Sequence, residues 1–295
     1  MAESSRLYSS RLGRFNFNGD GLLQLSIEVF DLSESAIGVR TNRATGRVRV
    51  SFFTGAATVI ALIVFVAFSR TFYLRPFFVT TDLSVQLGQD GLPLHLILHG
   101  LALSVWYAFF CLQAWLVALG HVRYHRQFGY FGLVAALAVV ISGAVTLIRF
   151  VPRALEVGAN YSEFSGVIVG NVFSLLMFVI FVGLAIFWRY RREVHKRLMY
   201  LASVSILGPV FAGGDRPLGA FLEQVVPDPL DIGLFAMGTL AAALALVIYD
   251  LSSDRRLHPI TLSCGLLVGI SEFVFDVITQ SAAGPALAQW VGRLA

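Results

Sequence analysis

Charged side chains are scarce in this chain. Asp, Glu, Lys and Arg together make up 14% of its 295 residues, whereas 57% of the residues are hydrophobic. A soluble globule of this size needs more polar surface than that, and the mean hydropathy of +0.75 points the same way. The composition therefore excludes an ordinary soluble protein and predicts a polytopic membrane protein, with the lipid bilayer as its main partner. The sequence does not indicate a particular protein partner.

Lysine is nearly absent, because Lys196 is the only lysine among 22 basic residues. It falls in a predicted loop, so no predicted span offers the kind of lysine that binds retinal. No nucleotide-binding loop is visible either. The formal charge of +4 is best explained by arginines that orient a membrane protein, and we expect no nucleic-acid partner.

Cysteine is also rare, and both cysteines, Cys111 and Cys264, fall inside predicted spans. Cysteine at such positions normally behaves as a small buried hydrophobe, so we expect no disulfide framework. A cleavable signal peptide is not evident, since the first apolar run begins near Phe52 behind about 50 mostly polar residues. The first span is then expected to direct insertion.

Seven apolar stretches are long enough to suggest transmembrane helices, which predicts an all-α bundle in one domain, residues 51–295. The stretches are Ser51–Ser69, Leu92–Leu119, Phe128–Phe150, Gly166–Trp188, Arg197–Ala212, Pro229–Tyr249 and Ile260–Gln280. The fifth is short and contains Gly208-Pro209, so we expect a broken or half-buried helix there. Ala286–Leu294 predicts a short amphipathic helix at the interface, anchored by Trp290 and Arg293.

Residues 1–50 are rich in Ser, Arg, Asn and Gly. Two interpretations stay open for them: a flexible cytoplasmic polar tail, or a β-ribbon turning around Asn42 to Gly46. The ribbon would pair two short alternating apolar runs. These runs consist of Leu25, Ile27 and Val29, and of Val48 and Val50.

Loop charges predict the orientation of the bundle. Basic residues cluster before the first span and between spans two and three, four and five, and six and seven, whereas the intervening loops carry mainly acids. By the positive-inside rule, the N-terminus is cytoplasmic and the C-terminus external. The predicted location is a bacterial inner (plasma) membrane.

The second span and the short segment that follows it, up to His125, contain four of the six histidines. On a helical wheel, His99, Trp106, Gln113 and His121 lie near one line, provided that the helix continues through Gly120. Polar groups at bilayer depth are costly unless they face protein or water. This stripe is therefore expected to face the bundle interior.

Several short motifs resemble those of a bacterial family of multi-pass membrane proteins of uncharacterised function. They are His125-Arg126-Gln127-Phe128-Gly129, His195-Lys196-Arg197-Leu198-Met199 and His258-Pro259, with His99-Gly100 and Trp106 in the second span. The resemblance covers roughly residues 72–290. It implies a helical bundle with a histidine at the cytoplasmic end of several helices, and it implies no particular activity.

The first candidate site comprises the cytoplasmic histidines. His121, His125, His195 and His258 come from three chain segments and are expected at one membrane depth. Neutral imidazoles on facing helices commonly hold haem b, and they also bind divalent metals. The alternative is that these side chains only cap helix ends or contact lipid headgroups.

The second candidate site lies near the opposite face. In the seventh span, Glu272 and Asp276 continue a small-residue stripe of Gly265 and Gly269, which predicts close helix packing. If this span packs against the second, the two carboxylates meet two imidazoles. The four metal-ligating residues would be His95, His99, Glu272 and Asp276, a set that suits Zn, Mn or Fe. The alternative is that both acids are hydrated or paired with Arg149, Arg153 or Arg216.

These sites support three kinds of function. A histidine-ligated haem b or metal-binding redox protein is the first hypothesis, and a proton- or ion-coupled transporter is the second, favoured by Glu272, Asp276, Gln113, Asn171 and the broken span. A metal-dependent intramembrane hydrolase is the third. The hydrolases of that kind carry their His-x-x-x-His pair in the last helix, however, whereas His95 and His99 lie in the second span.

Overall fold

A computed structural model describes residues 15–18, 22–25, 48–78, 91–211, 216–225, 233–253 and 255–295. Most of these residues are helical. The α-helices are α1 Phe52–Ala67, α2 Leu94–Ala118, α3 Val122–Glu156, α4 Tyr161–Phe187, α5 Arg192–Ser205, α6 Pro217–Val225, α7 Gly233–Ser253, α8 Pro259–Gln280 and α9 Ala283–Gly292. A π-helical turn at Ser69–Tyr73 and 3-10 turns at Arg75–Phe77 and Gly208–Phe211 complete the helical segments.

Four of the described helices, α2, α3, α4 and α8, are long and apolar enough to cross a membrane. They contain 22 to 35 residues, which corresponds to about 33 to 52 Å at 1.5 Å per residue, against a hydrocarbon core of about 30 Å. The predicted membrane helical bundle is confirmed at this level. The other three predicted spans correspond to α1, α5 with its following turn, and α7, so a total of seven stays a prediction.

Three short antiparallel strands precede the helices. They are β1 Phe15–Asn18, β2 Leu22–Leu25 and β3 Val48–Val50, in the order β1-β2-β3. Leu25 lies opposite Val48 in the β2–β3 register, as the ribbon interpretation predicted. Ile27, Val29 and the segment 42–46 lie outside the described residues.

Local signals account for several helix boundaries. Asn160 caps α4 through a capping box with Glu163, which satisfies backbone N–H groups that have no partner within the helix. The turn between α2 and α3 has its own signal. α2 ends at Ala118, and Gly120 in this turn adopts a φ of +79°. This left-handed conformation suits glycine and turns the chain into α3.

The core is formed where α2, α4 and α5 meet. Trp106 of α2 packs edge-on against Phe178 of α4, with ring centroids 4.8 Å apart, and both side chains are buried. The last eight residues of α5 except Met199 are buried as well. α5 packs against α4, α7 and α8, so this short helix lies at the centre of the bundle.

The fifth predicted span is broken, as expected. α5 ends at Ser205, and the 3-10 turn at Gly208–Phe211 follows it. The exposed carbonyls of a helix end need partners in an apolar interior. The Tyr107 hydroxyl donates to the carbonyl of Ser203 at 3.0 Å, and the Ser205 hydroxyl donates to that of Ala202 at 2.9 Å. α6, which follows this turn, was not predicted.

The basic connections lie together at one end of the bundle. The His125 and His195 rings are 6.3 Å apart, which joins the α2–α3 and α4–α5 connections. Arg197 pairs with Asp250 at 2.6 Å, which adds the α7–α8 connection. Phe52, at the start of α1, stacks on Tyr249 at a centroid distance of 4.6 Å. This clustering is the arrangement that the loop charges predicted.

Candidate functional site

A small cavity of about 20 Å³ lies between α4, α7, α8 and the C-terminal end of α5. Its polar lining is unusual for the interior of a membrane bundle, since four hydroxyl groups and one carboxyl group contribute to it. The lining residues with polar side chains are Ser174, Ser205, Thr239, Ser271 and Glu272. Phe173, Met177, Val268 and Phe275 supply the apolar part of the lining.

The broken helix places a local negative charge at this cavity. α5 ends at Ser205, which lines the cavity, so the negative end of the α5 dipole lies beside it. The Ser205 and Ser271 hydroxyls donate to the carbonyls of Ala202 and Val268. Their oxygen lone pairs remain free to accept a proton donor or to bind a cation.

Among the described residues that line the cavity, Glu272 is the only acid. It lies eight residues, or about 12 Å, from the C-terminal end of α8. Within the described part of the chain, no hydrogen bond or ion pair to its carboxyl group is found. An ionised carboxylate inside an apolar helical bundle is costly unless a proton or cation neutralises it.

Asp276 has a different environment. Its side chain is exposed, and Oδ1 accepts a hydrogen bond of 2.7 Å from Nε2 of Gln280 on the next turn. This arrangement agrees with the interpretation that Asp276 faces water at the interface. It does not share the cavity with Glu272.

The structure does not bring His95 and His99 to these acids. Nδ1 of His99 lies 3.1 Å from the hydroxyl of Ser142 on α3, and Nε2 of His95 lies 3.4 Å from Nη1 of Arg153 on the same helix. α2 packs against α1 and α3, whereas α8 packs against α4, α5, α7 and α9. Among the described residues, no three His, Cys, Asp or Glu side chains are close enough to hold a metal ion. The four predicted residues therefore do not form one site.

The glycine stripe of α8 also differs from its prediction. A Cβ added to Gly265 or Gly269 would meet no atom within 4 Å. These glycines do not support close packing on another described helix. α8 instead approaches α4 near Gly166, where an added Cβ would lie 3.4 Å from Thr279.

The four histidines that were predicted to be cytoplasmic occupy three different environments. His125 and His195 face each other, with ring centroids 6.3 Å apart and an interplanar angle of 81°. His121 is exposed beside Tyr124, because α2 ends before Gly120 and does not carry the predicted stripe onward. His258 caps α8 through Nδ1, which accepts from the backbone N–H of Ile260 at 3.2 Å. A common site for all four is not formed.

A buried ion-pair network lies beside His258. The Arg197 guanidinium donates through Nε and Nη2 to Oδ1 of Asp250, at 3.2 and 2.6 Å, and its Nη1 donates to Glu193 at 2.6 Å. Oδ2 of Asp250 accepts from the backbone N–H of His258 at 3.0 Å. The side chains of Arg197 and Asp250 are at most 1% exposed, so each charge depends on the other.

This network changes the protonation of His258. Burial and the guanidinium of Arg197 lower the pKa of His258 below its usual value, although the carboxylate of Asp250 opposes the shift. The lowered pKa keeps Nδ1 unprotonated near neutral pH, which is the form that can accept the capping hydrogen bond from Ile260.

The prediction that the polar stripe of α2 faces the bundle interior is confirmed for its residues up to Gln113. Trp106 is buried, and its indole Nε1 has no hydrogen-bond partner among the described residues. Both side-chain amide atoms of Gln113 and Nδ1 of His125 are also buried and have no hydrogen-bond partner among the described residues. Asn171, by contrast, donates to the carbonyl of Val167 in its own helix at 2.7 Å.

Glu272 is predictable from the sequence, but most of the groups around it are not. Ser174, Ser205, Thr239 and Ser271 are small hydroxyl residues within apolar runs, a pattern with no distinctive spacing. The Arg197–Asp250 pair was missed as well. An acid at the end of span six, shortly before Arg255 and Arg256, was the available signal for Asp250.

No family model, curated protein or solved structure matches this chain. The resemblance of the histidine motifs to a bacterial membrane-protein family therefore stays a prediction.

Proposed function

We propose that this protein is a proton- or cation-coupled membrane transporter whose coupling ion binds in the Glu272 cavity. The observation that carries the proposal is the position of one carboxyl group, with no ion-pair partner among the described residues, in a cavity at the end of the broken helix α5. Secondary transporters build ion sites from broken helices, because the helix end offers carbonyl oxygens and a negative dipole at membrane depth.

The donor set determines which ions suit the cavity. Glu272, Ser205 and Ser271 offer oxygen atoms, which hard cations prefer, and the described lining contains no nitrogen or sulfur ligand except the thioether of Met177. One carboxylate balances one positive charge. The cavity therefore suits a proton or a monovalent cation such as Na⁺ better than a transition metal.

The proposed topology comprises seven spans in a bacterial inner membrane, with the N-terminus inside and the C-terminus outside. The four apolar helices support a membrane location, and the clustering of the basic connections at one end of the bundle supports the orientation. In this arrangement the cavity lies nearer the external face, since Glu272 is in the second half of α8.

The other two hypotheses have less support. The predicted haem b ligands are divided, because His121 is exposed and His258 caps α8. A hydrolase needs His95, His99 and the α8 acids in one site, and the structure places them apart.

Reconstitution into liposomes tests the transporter proposal. A trapped pH-sensitive dye would report the internal pH after a Na⁺ or K⁺ gradient is imposed across the membrane. We expect a cation-dependent pH change with the wild type, its loss in Glu272→Gln and its retention in Asp276→Asn. Equal responses from Glu272→Gln and the wild type would contradict the proposal.

A further inference from the structure

His125 and His195 form a pair that the cavity mechanism does not use. His125 lies in the first turn of α3 and His195 in the first turn of α5, at the end of the bundle opposite Asp276. Their rings are nearly perpendicular, at 81°, with centroids 6.3 Å apart. Two imidazoles from separate helices are thus held close together at the membrane boundary, with their ring planes nearly perpendicular.

Each ring has one nitrogen anchored to a backbone carbonyl. Nδ1 of His195 lies 2.9 Å from the carbonyl oxygen of Ala185, and the His125 ring contacts the carbonyl of Gln113. Because a carbonyl only accepts, each imidazole donates its single N–H there. The other nitrogen, Nε2 of His195 or Nδ1 of His125, then keeps a free lone pair.

This anchoring is the arrangement found around metal-binding histidines. A ligating imidazole usually donates its second N–H to a carbonyl or carboxylate, which fixes both the tautomer and the ring orientation. Nδ1 of His125 is buried and has no hydrogen-bond partner among the described residues. Burial without a partner is costly for this atom, and a bound cation would satisfy it.

The separation of the rings matches one metal ion. With metal–nitrogen bonds of about 2.0 Å and a nitrogen about 1.1 Å from each ring centroid, two imidazoles in line on one ion have centroids about 6.2 Å apart. A direct hydrogen bond between the rings, at about 2.9 Å, would bring the centroids to about 5.1 Å. The observed 6.3 Å agrees with the first arrangement.

We propose that Nδ1 of His125 and Nε2 of His195 bind one Cu⁺ ion in line. Copper is among the metals that imidazole binds well, and the cuprous ion accepts two ligands in a linear arrangement. Arg126 and Lys196 lie next to the two histidines in the sequence, and nearby positive charge disfavours a divalent ion relative to a monovalent one. His121 and His258 are not part of this site.

Anaerobic titration with Cu⁺ held by a chromophoric chelator tests the proposal. We expect the wild type in detergent to withdraw one equivalent, and His125→Ala or His195→Ala to lower the affinity at least tenfold. His121→Ala serves as the matched control and should bind like the wild type. No withdrawal of Cu⁺ by the wild type, or an equal loss in His121→Ala, would overturn the proposal.

Two further measurements address folding and ligation. If His195→Ala fails to fold, His195→Asn replaces it, since the Asn amide can still donate to the carbonyl of Ala185 but is a poor copper ligand. X-ray absorption of the copper-loaded wild type should show two nitrogen ligands at about 2 Å. Sulfur ligands from Cys111 or Cys264, or four nitrogen ligands, would overturn the assignment.

Discussion

The guanidinium of Arg197 meets the carboxylate of Asp250 at 2.6 Å, with both side chains almost fully buried. The pair connects α5, the broken helix that ends at the cavity, to α7, and through Oδ2 of Asp250 to the start of α8. The three elements that carry Ser205, Thr239 and Glu272 are therefore joined at one end by a single charged contact.

Removing one member of this pair is expected to destabilise the bundle strongly. Asp250→Asn leaves the Arg197 charge with only the largely exposed carboxylate of Glu193 as a partner, and breaking a buried ion pair typically costs about 3 to 5 kcal/mol. The double variant Arg197→Met/Asp250→Leu removes both charges and should recover part of this loss. Thermal unfolding in detergent would measure the three stabilities. A double variant less stable than Asp250→Asn would contradict this view of the pair.

Stability should also depend on pH through His258. Its pKa is lowered in the folded protein, so the unfolded chain binds the proton more readily. The stabilisation is then fully present above the unfolded value of about 6.5 and is lost as the pH falls toward the folded pKa. His258→Asn keeps a capping side chain that does not titrate.

Melting temperatures at pH 7.5 and 5.5 would measure this contribution. The wild type should lose more stability than His258→Asn over that range, since the other titrating groups are common to both proteins. Identical losses would show that the His258 cap does not contribute.

The contact between Gly238 and Phe211 is expected to hold the turn after the broken helix. A Cβ added at Gly238 would overlap the Phe211 ring, whereas one added at Gly265 meets nothing within 4 Å. Gly238→Ala should therefore destabilise the protein by about 1 to 3 kcal/mol through overpacking. Gly265→Ala, the matched control, should be neutral or slightly stabilising, by at most about 1 kcal/mol. A larger effect in the control would contradict the open space described around Gly265 in α8.

The orientation of the bundle can be tested with reporter fusions. The clustering of basic connections predicts that a reporter fused after Arg191 stays in the cytoplasm and that one fused after Ala295 is external. Alkaline phosphatase and green fluorescent protein report the two compartments separately. Finding both reporters in the same compartment would contradict the seven-span topology.

Apolar length predicted the helices well, and local chemistry explains the main errors. The second predicted span agrees with α2 because a long apolar run is the strongest membrane signal. The prediction that the stripe of α2 includes His121 was wrong, because Gly120 adopts a positive φ and the helix has ended before it. α6 has nine residues, which is too short to produce such a signal.

The composition of the site was harder to predict than the helices. Glu272 was identified because a carboxyl group inside an apolar run is costly. Its neighbours were not, since membrane helices are apolar on every side and their sequences do not encode which helix they contact. The predicted partner of α8 was α2, whereas α8 packs against α4, α5, α7 and α9.

Carbodiimide labelling tests most directly whether Glu272 receives a proton or a cation. N,N′-dicyclohexylcarbodiimide reacts with protonated carboxyl groups in apolar surroundings, and mass spectrometry of α8 peptides locates the adduct. In native membranes we expect labelling at Glu272, not at the exposed Asp276, with a yield that falls as the pH rises or as a competing monovalent cation is added. Absence of the Glu272 adduct, or a yield independent of both pH and cations, would contradict the proposed ion site.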